Sequence, residues 1–154
     1  MSPALPRQAA ELAAALELAP LPHEGGLYRQ SYQDEHSTAI YYLLADGDFS
    51  ALHLLDAVEV YHWYAGDPLR LLLLFPDGSV AEPLLGPDVA AGQRHQIVVP
   101  AGVWQGSDSA GAWSLVGTTM APGFTWDGFE LGDGAELAAR FPEAAERIAR
   151  LVRP

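Results

Sequence analysis

The chain has 154 residues, 49% hydrophobic and 18% charged, the profile of one compact domain with a core and not of a disordered segment. Its 20 acidic and 8 basic residues give a net charge of -12, which argues against a nucleic-acid polymer or an anionic membrane as partner but leaves room for one phosphate or nucleotide at a local Arg or backbone site. With no cysteine, disulfides, thiolate nucleophiles and thiolate metal sites are excluded.

The N-terminal run Met1–Arg7 lacks a charged segment followed by an apolar core, so no leader peptide is read there. From about Pro6 to Ala19 the chain is rich in Ala, Leu and Glu, and Leu5, Ala9, Leu12 and Leu16 recur at helical spacing. This predicts a helix that lays an apolar stripe on a sheet and is stopped by Pro20 and Pro22. Six runs rich in β-formers follow: 37–44, 49–56, 58–65, 69–75, 94–99 and 112–120. Turn chemistry such as Asp46-Gly47, Pro76-Asp77-Gly78 and Pro100-Ala101-Gly102 bounds them. Many short strands without intervening helices predict a sandwich or barrel rather than a βαβ fold. The longest apolar run, Leu71–Phe75, is far below the ~20 residues a membrane helix requires. From about Gly134 the pattern returns to helix over 135–140, and Pro142 restarts it over 143–152. The expectation is a single domain over residues 1–154, all-β with a flanking helix at each end, soluble and cytoplasmic.

The chemistry concentrates between Gly47 and Gly66. Side chains alternate along a strand, so His53 shares a face with Phe49, Ala51 and Leu55, and Glu59 with Tyr61 and Trp63. The link Asp56-Ala57-Val58 is short enough to make the two runs antiparallel neighbours, with His53 and Glu59 pointing into one cavity. A carboxylate beside an imidazole orients it and favours its charged form, and such a pair serves as general base and acid. The plainer alternative is that the two simply satisfy each other as buried polar groups. His62 has the wrong parity to join them unless a bulge turns it inward. Trp63, Trp104 and Tyr64 are candidates to stack on a ligand ring, or else to pack in the core. Gln105 is an amide that needs a partner when buried. The loop His23-Glu24-Gly25-Gly26 reads as a cap over the pocket, an anion-binding nest or a plain turn, and Arg94-His95 as a basic spot for an anionic substrate group or a solvated edge.

Gly47, His53, Glu59 and Gly66 follow the spacing of the first motif of the cupin superfamily, and Pro100-Ala101-Gly102 that of the second. Leu55 stands where the first motif has its second histidine, and Gln105 where the second motif has its histidine. Segments 22–29, 37–42, 59–68, 99–105 and 121–124 resemble a small single-domain cupin family of unassigned function. The resemblance covers about Leu18 to Leu131 and implies a jelly-roll β-barrel and a homodimer.

A cupin metal site uses about three histidines and a glutamate, and here His53 and Glu59 remain beside Leu55 and Gln105. No tightly bound cofactor is therefore expected; a weakly held divalent metal on His53 and Glu59 is the alternative. Similar metal-free sugar-nucleotide epimerases pair a histidine with a carboxylate and use a tyrosine acid, for which Tyr28, Tyr41, Tyr61 and Tyr64 are candidates. The leading expectation is a small-molecule-binding cupin acting as a metal-independent isomerase or epimerase on a sugar or nucleotide sugar. His53 and Glu59 would transfer protons, and Gln105, Trp104, Tyr64, Trp63, His62 and Tyr28 would hold the ligand. The competing expectations are a non-catalytic binding protein and a metal-dependent cupin enzyme.

Overall fold

In a computed structural model of the protein, which describes residues 4–154, the apolar alternation resolves into two facing sheets with helices on their outer surfaces. Residues 1–3, part of the run searched for a leader, lie outside the described residues. Helix α1 (Arg7–Ala15) is followed by β1 (Ala19–Pro20), β2 (Leu27–Gln33), β3 (Thr38–Ala45), β4 (Ser50–Leu55), β5 (Glu59–Gly66) and β6 (Leu69–Leu74). Then come β7 (Val80–Ala81), β8 (Leu84–Leu85), β9 (Gln96–Val99), β10 (Trp104–Ser109), β11 (Trp113–Met120), β12 (Phe129–Leu131), α2 (Gly134–Arg140) and α3 (Ala145–Arg150).

One sheet runs β1-β2-β3-β11-β5-β9 and the other β12-β4-β10-β6-β7, with β8 also on β6. The arrangement is a jelly-roll sandwich whose ladders do not close into a continuous barrel. The all-β class with a helix at each end is thus as expected. Among the described residues, no helix is long and apolar enough to cross a membrane.

The leucine run shows why both sheets stay together. Leu71 and Leu73 point between the sheets, against Tyr42, Tyr61 and Val116. Leu72 and Leu74 point outward and pack with Leu137, Phe141, Ile148 and Leu151 of the C-terminal helical segment. Both faces of β6 are therefore buried, which is why it reads as an unbroken apolar run. On the other sheet, Ala9 and Leu12 of α1 cover Leu43, Trp113 and Leu115, with Leu5 and Leu16 in the same cluster. At ~25 cal/mol per Å² of apolar area, each fully buried leucine contributes about 2 kcal/mol.

Two expectations need correction. The runs holding His53 and Glu59 are not paired neighbours: β4 lies between β12 and β10, and β5 between β11 and β9. The link Asp56-Ala57-Val58 carries the chain from one sheet to the other. Further, Phe49 does not share the face of His53. A register shift against β10 pairs Gln105 with His53 but Ser107 with Ser50, and this extra residue in β4 sends Phe49 to the helical side.

The turn at Gly66 requires glycine. Its φ is +82°, and a Cβ there would meet the Trp113 carbonyl oxygen at 2.5 Å.

Candidate functional site

Between the sheets lies a cavity of about 390 Å³, lined by residues of both, within the size range of small-molecule pockets. His53 and Leu55 reach it from β4, and Glu59 and Tyr61 from β5. The crossover thus does by facing sheets what direct pairing was expected to do.

The bulge in β4 sets the histidine. At that point the Ala51 N–H donates to the Glu24 carbonyl at 2.9 Å, and the Ala51 carbonyl sits 2.7 Å from His53 Nδ1. A carbonyl only accepts, so Nδ1 carries the proton. Nε2 of this 2%-exposed residue is left toward the cavity with no hydrogen-bond partner among the described residues. Its ion-pair contact is Glu24 Oε1 at 3.9 Å, beyond hydrogen-bond length. The ring itself stacks on Phe129, with centroids 5.2 Å apart.

Glu24 comes from the loop between β1 and β2 and lines the cavity. The bulge also turns Ser50 toward it, so the Ser50 hydroxyl donates to Glu24 Oε1 at 2.6 Å. The loop is held from outside. Arg153 donates to the Glu24 carbonyl at 3.0 Å, to Asp48 Oδ1 at 2.8 Å and to the Phe49 carbonyl at 3.1 Å, and lies over the Phe49 ring. The Tyr42 hydroxyl donates to the Gly25 carbonyl at 2.6 Å. A Cβ on Gly25 would lie 2.5 Å from the Phe49 carbonyl oxygen and nearer still to Arg153, so this position admits only glycine.

Burial pushes the Glu59 carboxyl from 4.5 up to about 7; the His53 charge draws it down, the Glu24 charge raises it, and the Thr118 hydroxyl and Gln105 amide favour the ionised form. Burial likewise raises Tyr42 and Tyr61 well above the ordinary phenol value, with Glu24 acting in the same direction on Tyr42 and Glu59 on Tyr61.

The structure brings together some of the residues singled out in the sequence and separates others. His53, Glu59 and Tyr28 line the cavity. Gln105 is buried behind it, accepting from the Tyr61 hydroxyl at 2.6 Å, so its amide partner is a protein group. Trp104 packs under the C-terminal helices, because it alternates with Gln105 along β10. Trp63 faces the inter-sheet core and donates to the Asp67 carbonyl at 3.4 Å, outside the cavity lining. His62 points to the other surface of β5, where Nε2 meets the Thr119 hydroxyl at 2.9 Å. The register shift in this ladder lies between Leu115 and Val116, opposite Ala65 and Trp63, too far along to turn His62 inward. Tyr64 is 47% exposed and lies against Tyr41 on that outer surface.

Of the candidate tyrosine acids, Tyr41 and Tyr64 are thus outside, and the Tyr61 proton is given to Gln105. The nest reading of the His23–Gly26 loop also fails: Gly25 N–H donates to the Leu21 carbonyl and Gly26 N–H to Asp48. Arg94 is turned to the Val89 and Gln93 carbonyls and His95 to that of Pro87, away from the cavity.

Sequence reasoning did not assign Glu24, Ser50 or Thr118, nor the rim made by Phe124 and Trp126, which stack edge-to-face at 5.0 Å. The signal for Glu24 was its place in the segment Pro22–Gly26. Trp126 carried no pattern of its own.

The cupin fold implies a metal, and the donor set here does not fit one. Among the described residues, no three His, Cys, Asp or Glu side chains converge as a metal cage requires. Leu55 offers no donor, and the Gln105 carbonyl is engaged by Tyr61.

The family model of the cupin superfamily known as DUF985 matches residues 10–132. A crystal structure of a protein from Shewanella oneidensis superimposes with a TM-score of 0.89 at 37% identity, covering 95% of this chain and 98% of that one. A hypothetical protein from Leishmania major gives 0.88 at 27% identity, covering 95% and 99%. A cupin 2 conserved barrel domain protein from Rhodopseudomonas palustris gives 0.60 at 15% identity, covering 88% and 85%, a likeness of fold alone. No curated protein matches the sequence. With four-fifths of its length under that model and 37% identity to the Shewanella protein over 95% of the chain, the chain belongs to the DUF985 family of the cupin superfamily.

Proposed function

We propose that this protein binds a small polar carbonyl compound, such as a sugar, in the inter-sheet cavity and isomerises or epimerises it by proton transfer without a metal. The observation that carries this reading is the cavity-facing Nε2 of His53, fixed as an acceptor by the Nδ1–H···Ala51 bond and flanked by the carboxyl groups of Glu24 and Glu59.

The step balances with two groups. His53 Nε2 removes the proton from the carbon next to the carbonyl. The C–H electron pair moves into the new C=C bond, and the carbonyl oxygen takes the proton of neutral Glu59, giving an enol. Protonated His53 then delivers its proton to the former carbonyl carbon while ionised Glu59 takes the proton of the adjacent enediol hydroxyl, which gives the isomer; for the epimer, Tyr28 gives its proton to the original carbon from the opposite face, Glu59 takes back its own from the enol, and His53 and Tyr28 exchange their proton through water. A carboxyl whose pKa lies near 7 is matched to this exchange at neutral pH. Tyr28 is the tyrosine left to assist. A nucleotide sugar is the less favoured substrate, since no Lys or Arg lines the cavity to meet its phosphates.

The test is proton exchange in deuterium oxide with a panel of aldoses and ketoses, followed by NMR. Loss of the signal next to the carbonyl with the native protein is expected. His53→Ala should abolish that loss yet still bind the sugar. If no sugar exchanges and His53→Ala weakens binding, the non-catalytic binding protein is the better reading. A homodimer in the cytoplasm belongs to the same proposal; the exposed Val98 on edge strand β9 supports a pairing surface, and sedimentation would show the stoichiometry.

A further inference from the structure

Every charge-bearing group that lines the cavity is an acid or a histidine, and none is a fixed cation. The chain has no lysine, so its eight basic residues are all arginines. Arg7, Arg29, Arg70, Arg147 and Arg153 are paired with carboxylates on the surface, Arg94 is turned to backbone carbonyls, and neither Arg140 nor Arg150 lines the cavity.

The capacity that the charge-bearing groups leave open inside is for accepting. Among the described residues His53 Nε2 has no hydrogen-bond partner and, with Nδ1 protonated toward Ala51, it accepts. Glu24 uses Oε1 for Ser50. Glu59 presents a second carboxyl from the facing sheet. The two buried phenols donate their single protons to protein carbonyls, Tyr42 to Gly25 and Tyr61 to Gln105. What the inner wall lacks is a cation: its neutral donors come from groups such as Tyr28, Gln30 and Thr118, and its charge-bearing groups are acceptors in a low-dielectric space.

Resting on the reading of this cavity as a small-molecule site, we propose that its ligand carries a protonated primary amine, held by His53 Nε2 and Glu24, with the Glu59 carboxyl adding negative charge from the facing sheet. An alkylammonium has three N–H donors and no acceptor, which suits His53 Nε2 and Glu24 Oε1, 3.9 Å apart. Aromatic walls at Tyr42 and Tyr61 and the rim at Trp126 add attraction for a cation. An anionic group would instead meet two carboxylates without a counter-charge, a repulsion that discriminates strongly in a desolvated site. Because the ammonium takes the Nε2 that would act as base, this inference rests on the cavity as a small-molecule site and not on the proton-transfer step; the ligand class is an amine-bearing polyol or sugar.

Three six-carbon polyols that differ at one carbon separate the cases: glucamine (ammonium), sorbitol (hydroxyl) and gluconate (carboxylate). Calorimetric titration of the full chain at pH 7, constant ionic strength and in an amine-free buffer is expected to show saturable binding of glucamine, with sorbitol and gluconate at least ten-fold weaker. Glu24→Gln should remove at least ten-fold of the glucamine affinity and leave sorbitol unchanged. Because ammonium binding favours ionised Glu59, glucamine should also release protons, seen as a binding heat that depends on the ionisation heat of the buffer; this measurement needs no variant. Equal or tighter binding of sorbitol or gluconate, no saturable binding of glucamine, or a glucamine preference that survives in folded Glu24→Gln would overturn the inference. So would competition by zinc at stoichiometric occupancy, which would make the acceptors a metal site. Proton exchange on neutral sugars is read separately, so loss of this inference does not by itself remove the isomerase reading.

Discussion

The carbonyl of Ala51 fixes the ring of His53: the two are two residues apart on one strand, and the 2.7 Å contact to Nδ1 exists because a bulge breaks the ladder between them. The bulge therefore decides which nitrogen faces the cavity. The neutral ring should be the Nδ1–H tautomer, and nitrogen-15 chemical shifts at alkaline pH would report it directly; an Nε2–H tautomer would remove the base from the proposed mechanism.

Glu59 makes stability depend on pH in a stated window. Its carboxyl is raised from 4.5 to about 7 in the folded protein, so the folded state holds the proton more tightly than the unfolded chain. Stability from this group is full below about pH 4.5, falls as pH rises to about 7, and stays low above that. A displacement of that size corresponds to about 3 kcal/mol. Glu59→Gln should raise the melting temperature relative to the native protein at pH 8 and leave it nearly equal at pH 4. Chemical denaturation at the two pH values checks the difference; a variant equally shifted at both would point to packing instead.

Arg153 acts on Glu24 from outside the cavity. Its hydrogen bonds to the Glu24 carbonyl and to Asp48 hold the loop in which His23 has φ +67°, a conformation that needs support in a residue with a side chain. Arg153→Ala should cost about 1–2 kcal/mol, since these contacts are partly solvated, and should weaken ligand binding more than it slows turnover of bound substrate. Denaturation and the split between KM and kcat would measure both.

The missing metal donors are a fourth point of test. Leu55 lines the cavity and Gln105 lies directly across from His53 in the β10–β4 ladder. Leu55→His combined with Gln105→His should produce a protein that binds zinc stoichiometrically, while the native protein, assayed by elemental analysis, should not. Zinc at one equivalent in the native protein would overturn the metal-free reading.

Much of the fold was legible from local pattern. Short runs rich in β-formers and bounded by Gly and Pro located β3, β4, β5, β6, β9 and β11, and the helical stripes located α1 and the C-terminal helices. Six strands escaped: β1, β7, β8 and β12 are only two or three residues long, and the other two are longer. β2, Leu27–Gln33, is largely exposed and polar, and β10, Trp104–Ser109, is rich in Gly and Ser yet sits between β4 and β6. Neither has the β-branched composition by which strands are recognised, and both are held by their neighbours' ladders rather than by propensity.

The sequence by itself determined the β class, the turn glycines, the place of His53 and Glu59 in a cupin-like spacing, and the loss of metal donors at Leu55 and Gln105. These are properties of residue type and local order. Only the tertiary structure decided which groups share the cavity. It set aside Trp104, Trp63, His62 and Tyr64, and it added Glu24 and Ser50 and linked their loop to Arg153 at the far end of the chain. The reason is that side-chain direction over more than one strand depends on bulges and on which sheet a strand joins, and both are set by packing between segments distant in sequence. The His53–Glu59 pair survives that change, though it is made by two sheets facing each other across a cavity.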